Sequence, residues 1–163
     1  MSFVCTLDPD EDLDVDVIEA NGEFIARLAI GYDSETDKTF SLAVALSPVP
    51  GAYMELSFSV VGLCQTSGDW SDFWDGLATK PLFPLKEDRS VIRAALMGCV
   101  AMLVDVVRPE IVSMSTHTAN LPKLALAKFW EVNRIFADRG YRAGRADSYH
   151  GRYVWMMRRE SSI

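Results

Sequence analysis

The chain has 163 residues, of which 49% are hydrophobic and 24% charged, and its formal net charge is −7. This length and balance predict one soluble domain over residues 1–163 with enough apolar surface to form a core. No apolar run reaches the roughly 18 residues of a membrane span, and the acidic N-terminus does not resemble a secretory signal. The acidity also argues against non-specific binding of duplex nucleic acid.

The cysteines and histidines favour no metal site. Cys5, Cys64 and Cys99 are odd in number and far apart in the chain, which predicts free thiols in a reducing, cytoplasmic compartment. The two histidines, His117 and His150, have no second histidine or cysteine at a metal-ligand spacing. A zinc site is therefore not expected.

Charge is distributed unevenly along the chain. Residues 1–40 carry 11 acidic and 2 basic residues, whereas residues 121–163 carry 4 acidic and 9 basic residues. We expect the first residues, about 1–12, to form an acidic arm. The acidic cluster from Asp8 to Asp16 is either a solvated surface or a surface that mimics nucleic acid or binds a basic partner.

Four strands are predicted in the first 63 residues. Apolar and polar residues alternate from Leu13 to Glu19, and Asn21-Gly22 is a strong hairpin signal before the return strand. The other strands are predicted over residues 24–32, 39–46 and 53–63, and the third is expected to end at Pro48 and Pro50. Consecutive strands joined by short turns are typical of an antiparallel meander.

Residues 64–87 are predicted to be irregular, because glycine and proline punctuate them. Their large aromatic residues leave two interpretations open: the segment covers one end of the core, or it forms a lid or a binding rim. These aromatic residues are Trp70, Phe73, Trp74 and Phe83.

The next segment predicts a helix from Arg89 to about Val107, capped by Asp88 and ended by Pro109. A short strand is expected over residues 111–116, because this stretch is brief and mostly apolar. A second helix is then predicted, with Asn120 as its cap and Pro122 in its first turn.

The second helix is expected to bury one face and to stop at Gly140, which occupies the position that favours a left-handed glycine. The residues of this face are Ala125, Phe129, Val132 and Phe136. Residues 141–146 and 153–158 predict a final hairpin. The fold class is therefore α+β, with a mixed, mostly antiparallel sheet and two main helices.

This order of elements, over about residues 24–159, resembles that of the GNAT acetyltransferase superfamily. The local match is the segment Phe136-Ala137-Asp138-Arg139-Gly140-Tyr141, which is similar to the end of the superfamily's fourth helix. The resemblance implies an acyltransferase fold in which coenzyme A or acetyl-coenzyme A is the cofactor. It also implies a cleft between the fourth and fifth strands.

The chain departs from the superfamily pattern in three places. The segment that would bind pyrophosphate, Leu85 to Ile92, has no glycine and carries Glu87 and Asp88. Phe136 stands where a tyrosine often acts as general acid, and phenylalanine has no proton to donate. The Asn21-Gly22 turn replaces the two helices expected there, so we expect the fold without the usual coenzyme A site, or a scaffold reused for another function.

The resemblance implies two catalytic residues, Glu55 as a general base and His117. It also implies Arg89, Arg93 and Asn120 as contacts to the anionic cofactor, with His117 and Asn120 lining the cleft. Each also has a simpler interpretation. Glu55 is one outward residue of an alternating strand. The polar residues around Asn120 can simply cap a helix.

Two functions therefore remain open. The first is a divergent or degenerate acyltransferase that acts on an amine of a small molecule or protein. The second is a non-catalytic protein that binds a partner through the acidic N-terminal face or the aromatic segment 64–87. The arginine- and tyrosine-rich C-terminal hairpin fits single-stranded nucleic acid or a protein interface, including a homodimer.

Overall fold

A computed structural model describes residues 2–51, 53–73, 80–117, 126–149 and 152–160. Within these ranges nine strands form a single sheet, and two α-helices accompany it. The strands are β1 (Phe3–Cys5), β2 (Asp16–Ala20), β3 (Glu23–Asp33), β4 (Lys38–Val49), β5 (Tyr53–Cys64), β6 (Trp70–Phe73), β7 (Ile111–His117), β8 (Tyr141–Tyr149) and β9 (Arg152–Arg159). The helices are α1 (Lys86–Val107) and α2 (Leu126–Ala137).

The sheet order is β1-β3-β4-β5-β7-β9-β8, with β2 paired to β3 and β6 paired to β5. All pairs are antiparallel except β5 with β7. The predicted fold class, an α+β chain with a mixed and mostly antiparallel sheet and two helices, is confirmed.

The predicted meander from β2 to β5 is confirmed. Asn21 and Gly22 have φ values of 53° and 80°, which is the left-handed pair that a tight hairpin turn requires. The prediction that Pro48 ends the third strand is wrong, because β4 continues to Val49 opposite Tyr53. Beyond Leu46, β4 has no register partner on β3, so a proline without an N–H group is tolerated there.

Two short strands lie where none was predicted. The expected acidic arm begins with β1, whose Phe3 is buried and packs edge-on against Phe40 and Phe83. The backbone N–H of Ser2 donates to Asp33, which holds this strand at the sheet edge. The segment 64–87 contains β6, so only part of it is irregular.

Helix α1 begins three residues earlier than predicted. Its N-cap residue is Leu85, in an extended conformation without a side-chain cap, and Asp88 lies in the first turn. The assignment of Asp88 as the cap is therefore wrong. By length and composition α1 could cross a membrane, but its buried stripe, including Cys99, Leu103 and Val104, is equally that of a core helix.

The described part of α2 packs Phe129, Val132 and Phe136 into the core, as predicted. Gly140 has a φ of 86° where the helix ends. The hairpin of β8 and β9 follows, with longer strands than predicted. The predicted Asn120 cap, Pro122 and Ala125 lie outside the described residues.

Both helices lie on the same face of the sheet, which we call the helix face. Arg93 of α1 forms an ion pair with Glu131 of α2, and Arg139 reaches Asp105 at 2.8 Å, so the helices are joined at two levels. The alternate strand positions that point toward them are buried, for example Leu28, Leu42 and Val60. In the described ranges no helix lies on the other face, which we call the open face.

Candidate functional site

The parallel strands β5 and β7 separate soon after they meet. They pair only at Met54 with Val112 and at Glu55 with Ser113, although β5 continues to Cys64 and β7 to His117. Strand β6 occupies the same edge of β5 only from Val60 to Leu63. Residues 56–59 therefore have no strand partner on that edge within the described residues, and their backbone borders a wedge-shaped cleft.

Glu55 lies at the closed end of this cleft. It is exposed and belongs to the open face, because its strand neighbours Met54 and Leu56 point to the helix face. The same cross-strand row contains Ser47 on β4 and Ser113 on β7. One step further along this row, Ser47 Oγ donates to the Glu23 carboxylate at 2.7 Å. Glu55 is thus a solvent-accessible carboxylate beside unpaired backbone, which is where a base can meet an incoming amine.

His117 is the last residue of β7, opposite Arg152 in β9. It lies four residues beyond Ser113, so its Cα is roughly 13 Å along the strand from the level of Glu55. The structure therefore does not bring His117 and Glu55 together as one catalytic pair. Asn120, the other predicted cleft residue, is outside the described ranges.

The two arginines predicted to contact a cofactor are engaged within the protein. Arg89 Nη1 donates to the carbonyl oxygens of Phe83 and Pro84, both at 3.1 Å, and so fixes the turn before α1. Arg93 Nε donates to the Glu131 carboxylate at 3.3 Å. Both side chains are half-buried, and the positive charges of these two arginines are engaged in contacts within the protein.

The start of α1 is a poor phosphate site. Helix N-termini bind anions through free backbone N–H groups and the helix dipole. In this chain the first turn carries two acidic residues, Glu87 and Asp88. Lys86 is the basic residue that precedes them in the same turn. A diphosphate here would meet like charge.

Aromatic side chains cover the cleft on the helix face, and the sequence did not reveal that they assemble. The Phe129 ring of α2 lies 5.9 Å from Phe58 of β5 and stacks on Trp155 of β9 at 5.8 Å. Trp130 meets Trp155 edge-on at 4.8 Å. The Lys128 ammonium lies 4.8 Å from the Phe58 ring centre. We call this set the aromatic roof; it connects β5 with β9 across the gap between β5 and β7.

Two buried polar groups lie near the aromatic roof without hydrogen-bond partners. The Asn133 amide, one turn of α2 after Phe129, is 4% exposed, and neither of its polar atoms is paired. The Trp155 indole N–H is also buried and unpaired. An unsatisfied buried amide typically costs about 1–3 kcal/mol of stability.

The acidic N-terminal cluster is anchored rather than free. Leu7 and Leu13 are half-buried and, with Val91 and Ala95 of α1, line a groove of about 180 Å³, while the acidic side chains from Asp8 to Asp16 are exposed. A Cβ placed on Gly98 would lie 2.6 Å from Leu13, so this glycine permits the close contact. The acidic surface predicted from sequence therefore borders α1.

The far end of β5 holds a compact hydrogen-bonded turn. The Cys64 thiol donates to Asp37 Oδ1 at 3.1 Å, and the Thr66 backbone N–H donates to Asp37 Oδ2 at 2.8 Å. Hydrogen bonds from the Thr66 hydroxyl, the Cys64 thiol and the Thr66 N–H lower the pKa of Asp37 to about 2. This turn fixes the end of β5 but contributes no group to the cleft.

No protein-family model, no curated protein and no solved structure matches the chain. Its chemistry must therefore be argued from its own residues. These offer a parallel-strand cleft with unpaired backbone, a carboxylate at its closed end and an aromatic roof.

Proposed function

We propose that the protein is a divergent N-acyltransferase of the GNAT type that transfers an acyl group from a thioester to an amine. The observation that carries this proposal is the divergence of β5 and β7 after Glu55 and Ser113. Parallel neighbours in a continuous sheet normally keep pairing. A gap that exposes the backbone of residues 56–59 can instead hold an extended, amide-containing arm by adding hydrogen bonds to a strand edge.

The thioester arm would lie between β5 and β7, below the aromatic roof. The rings of Phe58 and Phe129 offer apolar surface to the methylene groups of such an arm. The backbone N–H and C=O groups of residues 56–59 that face away from β4 would pair with its amides. The acyl carbonyl would then approach the closed end of the cleft, where Glu55 lies.

Glu55 would act as the base. Its carboxylate takes a proton from the acceptor ammonium, and the neutral amine attacks the thioester carbonyl carbon. A C–N bond forms, the nitrogen releases its second proton to water, and the C–S bond breaks. Because Phe136 has no proton to give, the departing thiolate takes its proton from solvent.

The acidic first turn of α1 predicts an unusual ligand preference. The nucleotide end of coenzyme A would gain little from Glu87 and Asp88, so the pantetheine arm would supply most of the binding energy. The test compares the shifts in melting temperature produced by acetyl-coenzyme A and by acetylated pantetheine. A ligand that binds only the folded state raises the melting temperature.

We expect similar shifts from the two thioesters at equal concentration. Release of free thiol, followed with a thiol reagent in the presence of a panel of primary amines, measures transfer itself. If neither thioester raises the melting temperature at millimolar concentration and no amine releases thiol, the acyltransferase proposal fails.

A second candidate function is a binding protein that uses the open face. The end of the acidic segment and the start of the aromatic segment both contribute to that face. Asp16 and Ile18 lie on it through β2, and Trp70 and Asp72 through β6. The end of the acidic segment and the start of the aromatic segment thus share one sheet face, while the rest of the acidic segment borders α1.

The three cysteines, which form no disulfide, support a reducing, cytoplasmic location. Fractionation of cells that express the tagged chain tests this location. Recovery in the membrane or an oxidising compartment would contradict it.

A further inference from the structure

The outer flank of α2, on the side away from α1, presents an aromatic and a basic side chain to solvent. Glu131 pairs with Arg93 of α1, which identifies the inner flank, and the buried Phe129 faces the sheet. Trp130 and Arg134 are one turn apart on the remaining, outer flank, and both are exposed. Helix α2 packs over β8, the last strand of the sheet, so this flank lies at the sheet edge.

The C-terminal hairpin continues the same surface. Arg145 of β8 lies opposite Trp155 of β9, so both project to the helix face. Trp155 meets the ring of Trp130 edge-on at 4.8 Å, which connects the hairpin to α2. The Arg145 guanidinium lies 4.8 Å from the centre of the half-buried Tyr153 ring. We call the set Trp130, Arg134, Arg145 and Tyr153 the basic shelf.

The basic shelf is positive in a chain whose net charge is −7. The hairpin segments 141–145 and 153–159 contain four arginines and no acidic residue. Within the described ranges neither Arg134 nor Arg145 forms an ion pair, whereas Arg93 and Arg139 are engaged with carboxylates. Two guanidinium groups of the shelf can therefore meet an anionic partner.

One exposed acid, Asp138, follows Arg134 by one turn. It lies toward the end of α2 where Phe136 contacts Tyr141, whereas Arg145 is level with the start of α2. Four residues of β8 separate these two levels, which is roughly 13 Å. The negative charge is thus at one end of the shelf and leaves the Arg145 end positive.

The acidic N-terminal segment lies too far away to cancel this charge. It connects β1 with β2, and both strands pair with β3 near the opposite edge of the sheet. Five strand spacings separate β3 from β8, which at ~4.8 Å each is roughly 24 Å. Charge interactions in water are screened over about 8 Å at physiological salt. A polyanion at the basic shelf would therefore feel little of the acidic segment.

The chemistry of the shelf favours one kind of polyanion. The Trp130 ring is 50% exposed, and the Arg145 guanidinium covers the Tyr153 ring. Nucleobases stack on aromatic rings and on arginine planes, and arginines bind the phosphates between them. A duplex hides its base faces within its own stack, and an acidic peptide offers charge without such faces. A single strand supplies both.

We propose that the basic shelf binds a single-stranded nucleic acid. Bases stack on Trp130 and on the pair of Arg145 with Tyr153, and the guanidinium groups of Arg134 and Arg145 contact phosphates. The interaction does not depend on the proposed acyl transfer, because the shelf contains neither Glu55 nor the open edge of β5.

The test is fluorescence anisotropy of a labelled oligodeoxythymidine of about 20 nucleotides, titrated with the full chain. Trp130→Ala should weaken binding roughly 5- to 100-fold, because one base loses its stacking surface. Arg134→Ala with Arg145→Ala should lower the slope of log affinity against log salt by about 1.4, since each phosphate contact to a single strand contributes about 0.7. Circular dichroism confirms that each variant is folded.

Two matched controls separate the shelf from general effects. Trp70→Ala with Arg27→Ala removes an exposed tryptophan and an exposed arginine from the open face, and this variant should bind as the wild type does. An abasic strand of equal length keeps the phosphates and lacks the bases. It should bind the wild type at least about tenfold more weakly.

The proposal is overturned if the wild type does not bind the strand at about 100 μM protein in low salt. It also fails if the folded Trp130→Ala variant binds as tightly as the wild type, or if the open-face control loses as much affinity. Equal binding of the abasic strand or of polyglutamate would show recognition of charge alone, as by an acidic protein segment, and would exclude a nucleic-acid site. No thioester is present in these titrations, so they are decided separately from acyl transfer.

Discussion

The aromatic roof gives the most quantitative prediction, the effect of Phe129→Ala. Phe129 is 5% exposed and packs against Phe58 and Trp155 at about 6 Å between ring centres. Removing a buried ring withdraws roughly 150 Å² of apolar contact, worth about 4 kcal/mol at ~25 cal/mol per Å². We expect a loss of about 3–5 kcal/mol, the usual range for a buried phenylalanine changed to alanine.

Urea unfolding of the wild type and Phe129→Ala measures this difference as a shift in midpoint at constant slope. The matched control is Trp130→Ala, the next residue of α2. Trp130 is 50% exposed, so its loss should cost about half as much or less. Equal costs for the two variants, or a loss below about 1 kcal/mol for Phe129→Ala, would refute the reasoning that this ring joins β5 to β9 across the cleft.

Three further predictions address the site and its surroundings. Glu55→Gln, an isosteric change at an exposed position, should reduce acyl transfer by about 10²–10⁴-fold while the thermal shift with acetylated pantetheine stays intact; unchanged transfer would exclude Glu55 as the base. Asp37 has a folded pKa of about 2, below its ordinary 3.8, so its stabilising effect is present above pH ~4 and lost as the pH falls toward 2. Asp37→Asn should therefore flatten the dependence of the urea midpoint on pH in that interval, and an unaltered acid limb would contradict the assignment. Asn133→Leu should raise the free energy of unfolding by about 1 kcal/mol by removing two unpaired polar atoms, and a lower stability would show that this amide is satisfied in solution.

Local patterns predicted most of the elements. The Asn21-Gly22 turn was predictable because few other residue pairs readily adopt two successive left-handed conformations. The stripe of α1 and the Gly140 stop depend only on helical spacing and on glycine's freedom at positive φ, so they too could be predicted.

The errors arise where tertiary contacts decide. The helix start moved to Lys86 because Arg89 holds the preceding turn through two carbonyl groups, a contact that outweighs the capping tendency of Asp88. Strand β1 is only three residues long and depends on Phe3 packing against rings from distant parts of the chain. No local signal identifies such a strand.

The candidate site was predictable in its residue types but not in its geometry. Alternation placed Glu55 outward on its strand, and the structure agrees. Its position at the end of the pairing depends on the register of β5 with β7, which are separated in sequence by β6 and α1. The open face did have a sequence signal: the outward residues Ser41, Ala43, Ala45 and Ser47 are small where a solvated strand would carry charge.

The measurement that tests the account most directly is hydrogen exchange, followed by mass spectrometry, with and without acetylated pantetheine. We expect slower exchange of the alternate backbone amides of residues 56–59 that face away from β4 when the thioester is present, because this open edge becomes hydrogen-bonded, and no change at the start of α1. An exchange rate at residues 56–59 that does not change in saturating thioester, or protection confined to residues 86–90, would contradict a binding cleft between β5 and β7.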